Sequence, residues 1–157
     1  MDNSGYYGMS LAYINQLEGF KTFFKNLHWS AYHLTYHKVI DDALNAINEA
    51  QDEIAETSQG YLGRQYGVGE VQGVKCACTT PKEGIESLDK ETALFYVKIK
   101  MDDTLMGVIN AVNDFQQEIL KLKYLFNLAE KDGSTTPPSG VKGDVGVTGG
   151  FKGIVLD

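Results

Sequence analysis

One stretch in the first half of the chain, residues 28–56, concentrates side chains that could bind a metal ion. It holds all three histidines and the only tryptophan of the sequence, together with the carboxylates Asp41, Asp52 and Glu56. On a helix that advances about 100° per residue, these carboxylates and His37 fall within one arc of about 100°. Imidazole and carboxylate ligands that leave a coordination position open suit Fe(II). The spacing therefore predicts a metal-binding face on this helix.

This polar helix face has a second interpretation, because most polar helix faces are simply solvated. Its lack of Lys and Arg, and the ligand chemistry at both of its ends, favour a binding site instead. The apolar residues of the helix lie on the other side. They predict the face that packs into the core: Val39, Ile40, Ala43, Leu44, Ala46, Ile47, Ala50 and Ile54.

The length of the polar face determines how a site could be built. Asp41 and Asp52 are eleven residues apart, which corresponds to about 16 Å of helix at about 1.5 Å per residue. Ligands lie about 2.0–2.2 Å from their metal ion, so one helix cannot bring both ends of the face to the same ion. Two antiparallel copies can, if a two-fold axis crosses the helix at residues 46–47. A two-fold interface repeats every contact, so such a dimer would carry a pair of sites.

The two other histidines need separate arguments. In an unbroken helix His28 would lie about 180° from His37. It can join the site only if the chain turns between Trp29 and Tyr36, which leaves His28 at the end of an earlier helix. His33 lies nearer the apolar side of the next helix, and this position predicts a partly buried structural histidine rather than a ligand.

The order and spacing of these residues resemble the metal-site motif of the Dps miniferritins. The residues that match the motif in order are His28, Trp29, His37, Asp41, Asp52 and Glu56. The resemblance implies a ferritin-like four-helix subunit in which the two histidines and three carboxylates bind iron between subunits. It also implies that Trp29 passes or quenches a radical, the alternative being a tryptophan packed in the core. This chain departs from the family in the turn, where SAYHLTY replaces a Gly- and Pro-containing loop about three residues longer.

The function that this resemblance implies is oxidation and sequestration of iron. Fe(II) would bind between two subunits, and peroxide or dioxygen would accept its electrons. The expected assembly is a homo-oligomer, at minimum a two-fold dimer and by resemblance a dodecameric shell. The alternative is a non-catalytic ferritin-like structural or cargo protein inside a larger assembly, such as a viral particle or protein shell. The polar face would then be a packing surface.

Composition places limits on the class of protein. A chain of 157 residues with 43% hydrophobic and 22% charged residues suits a single globular domain. The net charge of −7 argues against general DNA binding, because binding to phosphates requires clustered Lys and Arg. No signal-peptide pattern or long apolar run is apparent, so a cytoplasmic protein without membrane insertion is expected.

Hydrophobic periodicity predicts an all-α subunit of four helices, near residues 10–29, 34–59, 86–101 and 103–131. Ser10 is the predicted cap of the first helix, and Gly133 the residue that ends the last. A break at residues 101–103 separates the third and fourth helices, the alternative being one unbroken helix over 86–131. Asp114 and Glu118 form a further i,i+4 carboxylate pair, which we expect to be exposed.

Two segments lie outside this helical pattern. The first is a long Gly-rich connection over residues 60–81, a length typical of functional or partner-bound loops. It contains Cys76 and Cys78, which we predict to be free thiols because this pair alone lacks the four ligands of a zinc site, the alternative being that they bind a soft metal ion. The second is the Pro- and Gly-rich tail, residues 134–157, which follows the helical domain 1–133. Its apolar end, residues 149–157, could dock on a neighbouring subunit or larger assembly by adding a strand to an edge.

Overall fold

The computed structural model describes residues 2–136, and the regular secondary structure of this part of the chain is entirely helical, with no strand. The predicted all-α architecture of four helices is confirmed. The predicted tail from residue 137 onward, with its proposed docking segment, lies outside the described residues. In chain order the elements are α1 (Asn3–Ser30), α2 (Leu34–Leu62), α3 (Pro81–Ile99), a short 3-10 turn (Asp103–Leu105) and α4 (Met106–Lys131).

Helix α1 begins seven residues before the predicted start, and the prediction that Ser10 caps it is wrong. The cap is Asp2, whose carboxylate accepts a hydrogen bond of 2.6 Å from the backbone N–H of Gly5. Ser10 is fully buried inside the helix, and its hydroxyl donates to the carbonyl of Tyr7. The leading residues join the helix because Tyr6 is fully buried in the core, which stabilises a first turn that contains Gly5, a weak helix former.

Helix α3 also begins earlier than predicted, by five residues. Its start is a capping box, in which Thr80 accepts from the backbone of Glu83 and the Glu83 side chain accepts from the backbone of Thr80. Pro81 occupies the first turn, where its missing N–H costs nothing. The predicted break before α4 is confirmed, so the unbroken helix over 86–131 is wrong. Gly133 has a φ of 78° and ends α4 as predicted.

The helices are connected in an order that places α3 parallel to α2. The three-residue connection between α1 and α2 makes these helices an antiparallel pair. Within α3, Gly84 packs against Phe23 near the end of α1, whereas Thr92 accepts a hydrogen bond from Tyr13. Helix α3 therefore runs antiparallel to α1. The connection over residues 63–80 consequently crosses the length of the bundle.

This crossover loop, residues 63–80, is fixed along the surface of α1. Its start is tied by Tyr66, whose hydroxyl donates to Ser10 over 2.9 Å. Further along, the backbone N–H of Val74 donates to the carbonyl of Asn15 over 3.0 Å. At Gly19 the loop approaches so closely that a Cβ atom built there would lie 1.7 Å from the Val74 carbonyl oxygen. Only glycine allows this approach.

The capping box of α3 should make the stability of the protein depend on pH, through the carboxyl group of Glu83. Hydrogen bonds from the Thr79 backbone, the Thr79 hydroxyl and the Thr80 backbone lower the pKa of Glu83. A carboxyl group with a lowered pKa stabilises the folded state above its unfolded pKa, and this stabilisation is lost as the pH falls through the folded pKa. We expect Glu83→Gln to lower the midpoint of urea unfolding at neutral pH and to have little effect once the pH lies below the folded pKa of Glu83. An equal effect at both pH values would contradict this. Glu86→Gln, an exposed residue of the same helix, is the control.

No helix between residues 2 and 136 combines the length and apolar character that crossing a membrane requires. The core lies between the four helices, and its largest fully buried side chains come from every one of them. They include Tyr6, Ile14, Leu17 and Phe24 of α1, Ile40, Ile47 and Ile54 of α2, Leu88 and Ile99 of α3, and Val108 and Ile119 of α4.

Candidate metal centre

The turn that was required to bring His28 to the metal-binding face is present. Helix α1 ends at Ser30, Ala31 is extended, and α2 begins at Leu34 with His33 as its cap residue. The chain thus reverses direction over three residues. Because His28 lies in the last turn of α1, it faces the first turns of α2.

Three of the predicted ligands, His28, His37 and Asp41, form one cluster. The Nδ1 atom of His28 lies 2.7 Å from Oδ1 of Asp41, and Nε2 of His37 lies 3.7 Å from Oδ2 of the same carboxylate. The two imidazole rings have centroids 3.8 Å apart. One ligand atom from each residue lies within 4.8 Å of the others. Ligands of one metal ion are at most about 4.4 Å apart, twice the usual bond length. Movements of a few tenths of an ångström would therefore allow all three atoms to bind one ion.

The buried nitrogen of His28 supports binding of a cation at this cluster. Within residues 2–136, Nδ1 of His28 is a buried polar atom without a hydrogen-bond partner. Oδ1 of Asp41 lies 2.7 Å from this nitrogen, within ion-pair distance, but no hydrogen bond joins the two atoms. A buried polar group without a partner is costly. A metal ion between the nitrogen and the carboxylate would satisfy both groups.

Asp52 and Glu56 are not part of this cluster. Both are exposed, and they lie further along α2 than the other predicted ligands. No described residue of the chain joins His28, His37 and Asp41 in a larger group of ligand atoms. The predicted contribution of Asp52 and Glu56 therefore requires a second copy of the chain.

Trp29 is exposed, with 71% of its surface accessible, so the alternative of a tryptophan packed in the core is wrong for the single chain. The ammonium group of Lys25 lies 5.8 Å from the centre of the indole ring, within range of a cation–π interaction. Lys25 was not among the predicted residues, although its position four residues before Trp29 on a helix indicates the contact. Trp29 thus presents a large apolar surface beside the histidine cluster.

The remaining candidate residues do not join the site. His33 is partly buried, as predicted, and its Nε2 atom lies 3.0 Å from the carbonyl oxygen of Thr136. Asp114 and Glu118 are exposed, also as predicted. Tyr36 directly precedes His37 and is buried, and this burial raises its pKa to about 12. It is therefore a neutral phenol at neutral pH.

Cys76 and Cys78 form no disulfide bond, and both are partly buried. Burial, with further contributions from Cys76 and Glu83, raises the pKa of Cys78 to about 11. Because a thiolate is the reactive form of cysteine, Cys78 is poorly suited to nucleophilic catalysis.

Comparison with known proteins leaves the site to be judged on its own chemistry. No protein-family model, curated protein or solved structure matches the chain. The functional assignment therefore depends on the residues of the cluster and their geometry.

Proposed function

We propose that the protein is a Dps-like miniferritin that oxidises and sequesters Fe(II) at a site shared between two subunits. The observation that carries the proposal is the cluster of His28, His37 and Asp41, with its buried nitrogen that lacks a hydrogen-bond partner. Two imidazoles and one carboxylate form a mixed ligand set suited to Fe(II). The crossover loop supports the ferritin-like part of the proposal, since such bundles also contain one long crossover connection.

In this proposal a second subunit completes the ligand set. Three ligands from one chain leave coordination positions open, and the exposed Asp52 and Glu56 of a two-fold partner would occupy some of them. Both are carboxylates, so they would balance the charge of the bound cation. Trp29 and Leu34, exposed at 71% and 69%, flank the cluster and provide apolar area for this interface. Such a homodimer could assemble further into a shell.

The chemistry follows from the ligand set and the nature of the substrate. Fe(II) is the substrate, and each iron gives up one electron. One peroxide takes two electrons and two protons, its O–O bond breaks, and two molecules of water form. The carboxylates favour the higher charge of Fe(III) over that of Fe(II), which promotes this oxidation. Trp29 would intercept an oxidising radical if only one electron were transferred.

Removal of a ligand carboxylate should abolish rapid iron oxidation. We expect Asp41→Ala and Asp52→Ala each to slow peroxide-driven oxidation of Fe(II) by at least about 10–100-fold, since even outer-shell partners of metal ligands have effects of this size. Anaerobic Fe(II) titration followed by peroxide, with absorbance of Fe(III) as the signal, measures the rate.

Asp42→Ala is the matched control for these variants. Asp42 is exposed, adjacent to Asp41, and outside the histidine cluster. The Asp42→Ala substitution removes the same charge from the same helix but should leave the oxidation rate unchanged. Equal rates in wild type, Asp41→Ala and Asp52→Ala would refute the iron-oxidation proposal.

A second candidate function is a structural or cargo role within a larger assembly, such as a viral particle or protein shell. It is favoured by apolar residues on the outer face of α4, where Leu120, Tyr124 and Leu128 recur at intervals of four and are 44–62% exposed. A stripe of this kind is typical of a protein contact. Metal analysis of the purified protein separates the two functions, because a purely structural subunit would contain no stoichiometric iron after loading with Fe(II).

A further inference from the structure

We propose that Cys76 and Cys78 form a second metal site, one that binds the soft cation Cu(I) through two sulfur ligands. This site lies in the crossover loop and shares no residue with the histidine cluster. It is also distinct from a zinc site, which normally requires four ligands. Thiolate sulfur favours soft metals, of which Cu(I) is one, and this closed-shell ion is satisfied by two thiolates.

The backbone of the loop turns both thiols to the same side. Residues 75–79 are neither helix nor turn, and their exposure alternates: Cys76 and Cys78 are partly buried, whereas Lys75, Ala77 and Thr79 are exposed. In extended chain, residues separated by two positions point in the same direction. Cys76 in addition packs against the hydrophobic core. The two sulfur atoms are therefore neighbours on the bundle side of the loop.

The local hydrogen bonding suits a metal-bound sulfur. The backbone N–H of Cys78 donates to Sγ of Cys76 over 3.4 Å. The hydroxyl of Ser87 is within hydrogen-bonding range of the Cys78 side chain and acts to lower the pKa of that thiol, whereas the contact with Cys76 raises it. Donors directed at sulfur stabilise a thiolate ligand, and such outer-shell contacts orient metal ligands.

The segment that carries the thiols is held at both of its ends. On one side, the backbone N–H of Val74 donates a hydrogen bond to the Asn15 carbonyl, and the backbone of Val74 packs against Gly19. On the other side Thr79 donates from its backbone and its hydroxyl to Glu83, over 2.8 and 2.9 Å. Because the backbone is fixed before any metal binds, little ordering remains to be done on binding. When Cu(I) binds, two S–H bonds break, two Cu–S bonds form, and two protons leave to solvent, with no change in oxidation state.

Anaerobic competition with bicinchoninate tests this site in the full-length reduced protein. We expect the wild type to retain about one Cu(I) per chain, and Cys76→Ser and Cys78→Ser to retain almost none, because a hydroxyl is a poor ligand for a soft cation. Ala77→Ser, an exposed position between the thiols, is the matched control and should retain copper. Circular dichroism establishes that each variant is folded.

Two further measurements separate this site from the histidine cluster. X-ray absorption of the copper-loaded wild type should show sulfur neighbours only. His28→Ala should retain Cu(I) while losing rapid iron oxidation, so failure of the iron proposal and failure of the copper proposal are distinguishable. Copper bound equally by the Cys76→Ser/Cys78→Ser double variant, nitrogen neighbours in the spectrum, or complete loss of copper from the wild type would each overturn the proposal.

Discussion

Mixing two inactive variants, Asp41→Ala and Asp52→Ala, should restore about one quarter of the wild-type rate of iron oxidation after subunit exchange, because half of randomly formed dimers are mixed and each contains one intact site of its two. In the mixed dimer one site lacks both carboxylates. The other combines the unaltered Asp41 of one subunit with the unaltered Asp52 of its partner. Neither variant alone contains an intact site.

The measurement is the initial rate of Fe(III) formation with peroxide, before and after the two variants are unfolded and refolded together. The control mixes the double variant Asp41→Ala/Asp52→Ala with wild type. Its mixed dimers contain no intact site, so activity should fall to about one quarter of the wild-type rate for the same total protein. If each site lay within one subunit, the Asp41→Ala and Asp52→Ala mixture would stay inactive, and the intersubunit site would be refuted.

Gly19, which lies beneath the crossover loop, should tolerate substitution less well than any other residue of α1. We expect Gly19→Ala to destabilise the protein by about 1–3 kcal/mol, the usual cost of overpacking, because its Cβ would lie 1.7 Å from the Val74 carbonyl oxygen. The obstacle is backbone and cannot rotate away as a side chain could. The loop must lift, which would also strain the hydrogen bond between Val74 and Asn15.

Gly8→Ala is the matched control on the same helix. Nothing lies within 4 Å of a Cβ built at Gly8, so only helix propensity changes, and this should stabilise the protein by about 0.5–1 kcal/mol. Urea unfolding followed by circular dichroism gives both free energies. If Gly19→Ala were as stabilising as Gly8→Ala, the close approach of the loop to α1 would be disproved.

The helices could be predicted from sequence wherever their apolar residues repeat with the helical period. Helix α2 was placed at its true start, Leu34, and extends three residues beyond the predicted end, to Leu62. The first turns of α1 and α3 were missed for different reasons. Tyr6 is buried by long-range packing against α2, which no local pattern reveals. The start of α3 did carry a local signal, the Thr80-x-x-Glu83 capping box with proline between.

The site could be predicted in part, because the spacing of the ligand residues along the sequence determines which of them lie close together on a helix. His37 and Asp41 are one helical turn apart, so their proximity follows from the helix alone. The position of His28 depended on the turn after Ser30, whose location the sequence only bracketed. The surroundings of Cys76 and Cys78 were not predictable. They result from the attachment of the loop to Asn15, a contact that spans 57 residues between Asn15 and Gln72.

The residues of the histidine cluster lie close together in sequence, and this affects the order in which the protein folds. His28 and Asp41 are joined by a single reversal of three residues between α1 and α2, so closing this segment costs little chain entropy compared with closing the crossover loop. Contacts between nearby residues also form faster than distant ones. We therefore expect the hairpin of α1 and α2 to bring His28, His37 and Asp41 together before α3 and α4 have packed, so that a chain still emerging from the ribosome could already hold a metal ion at this cluster.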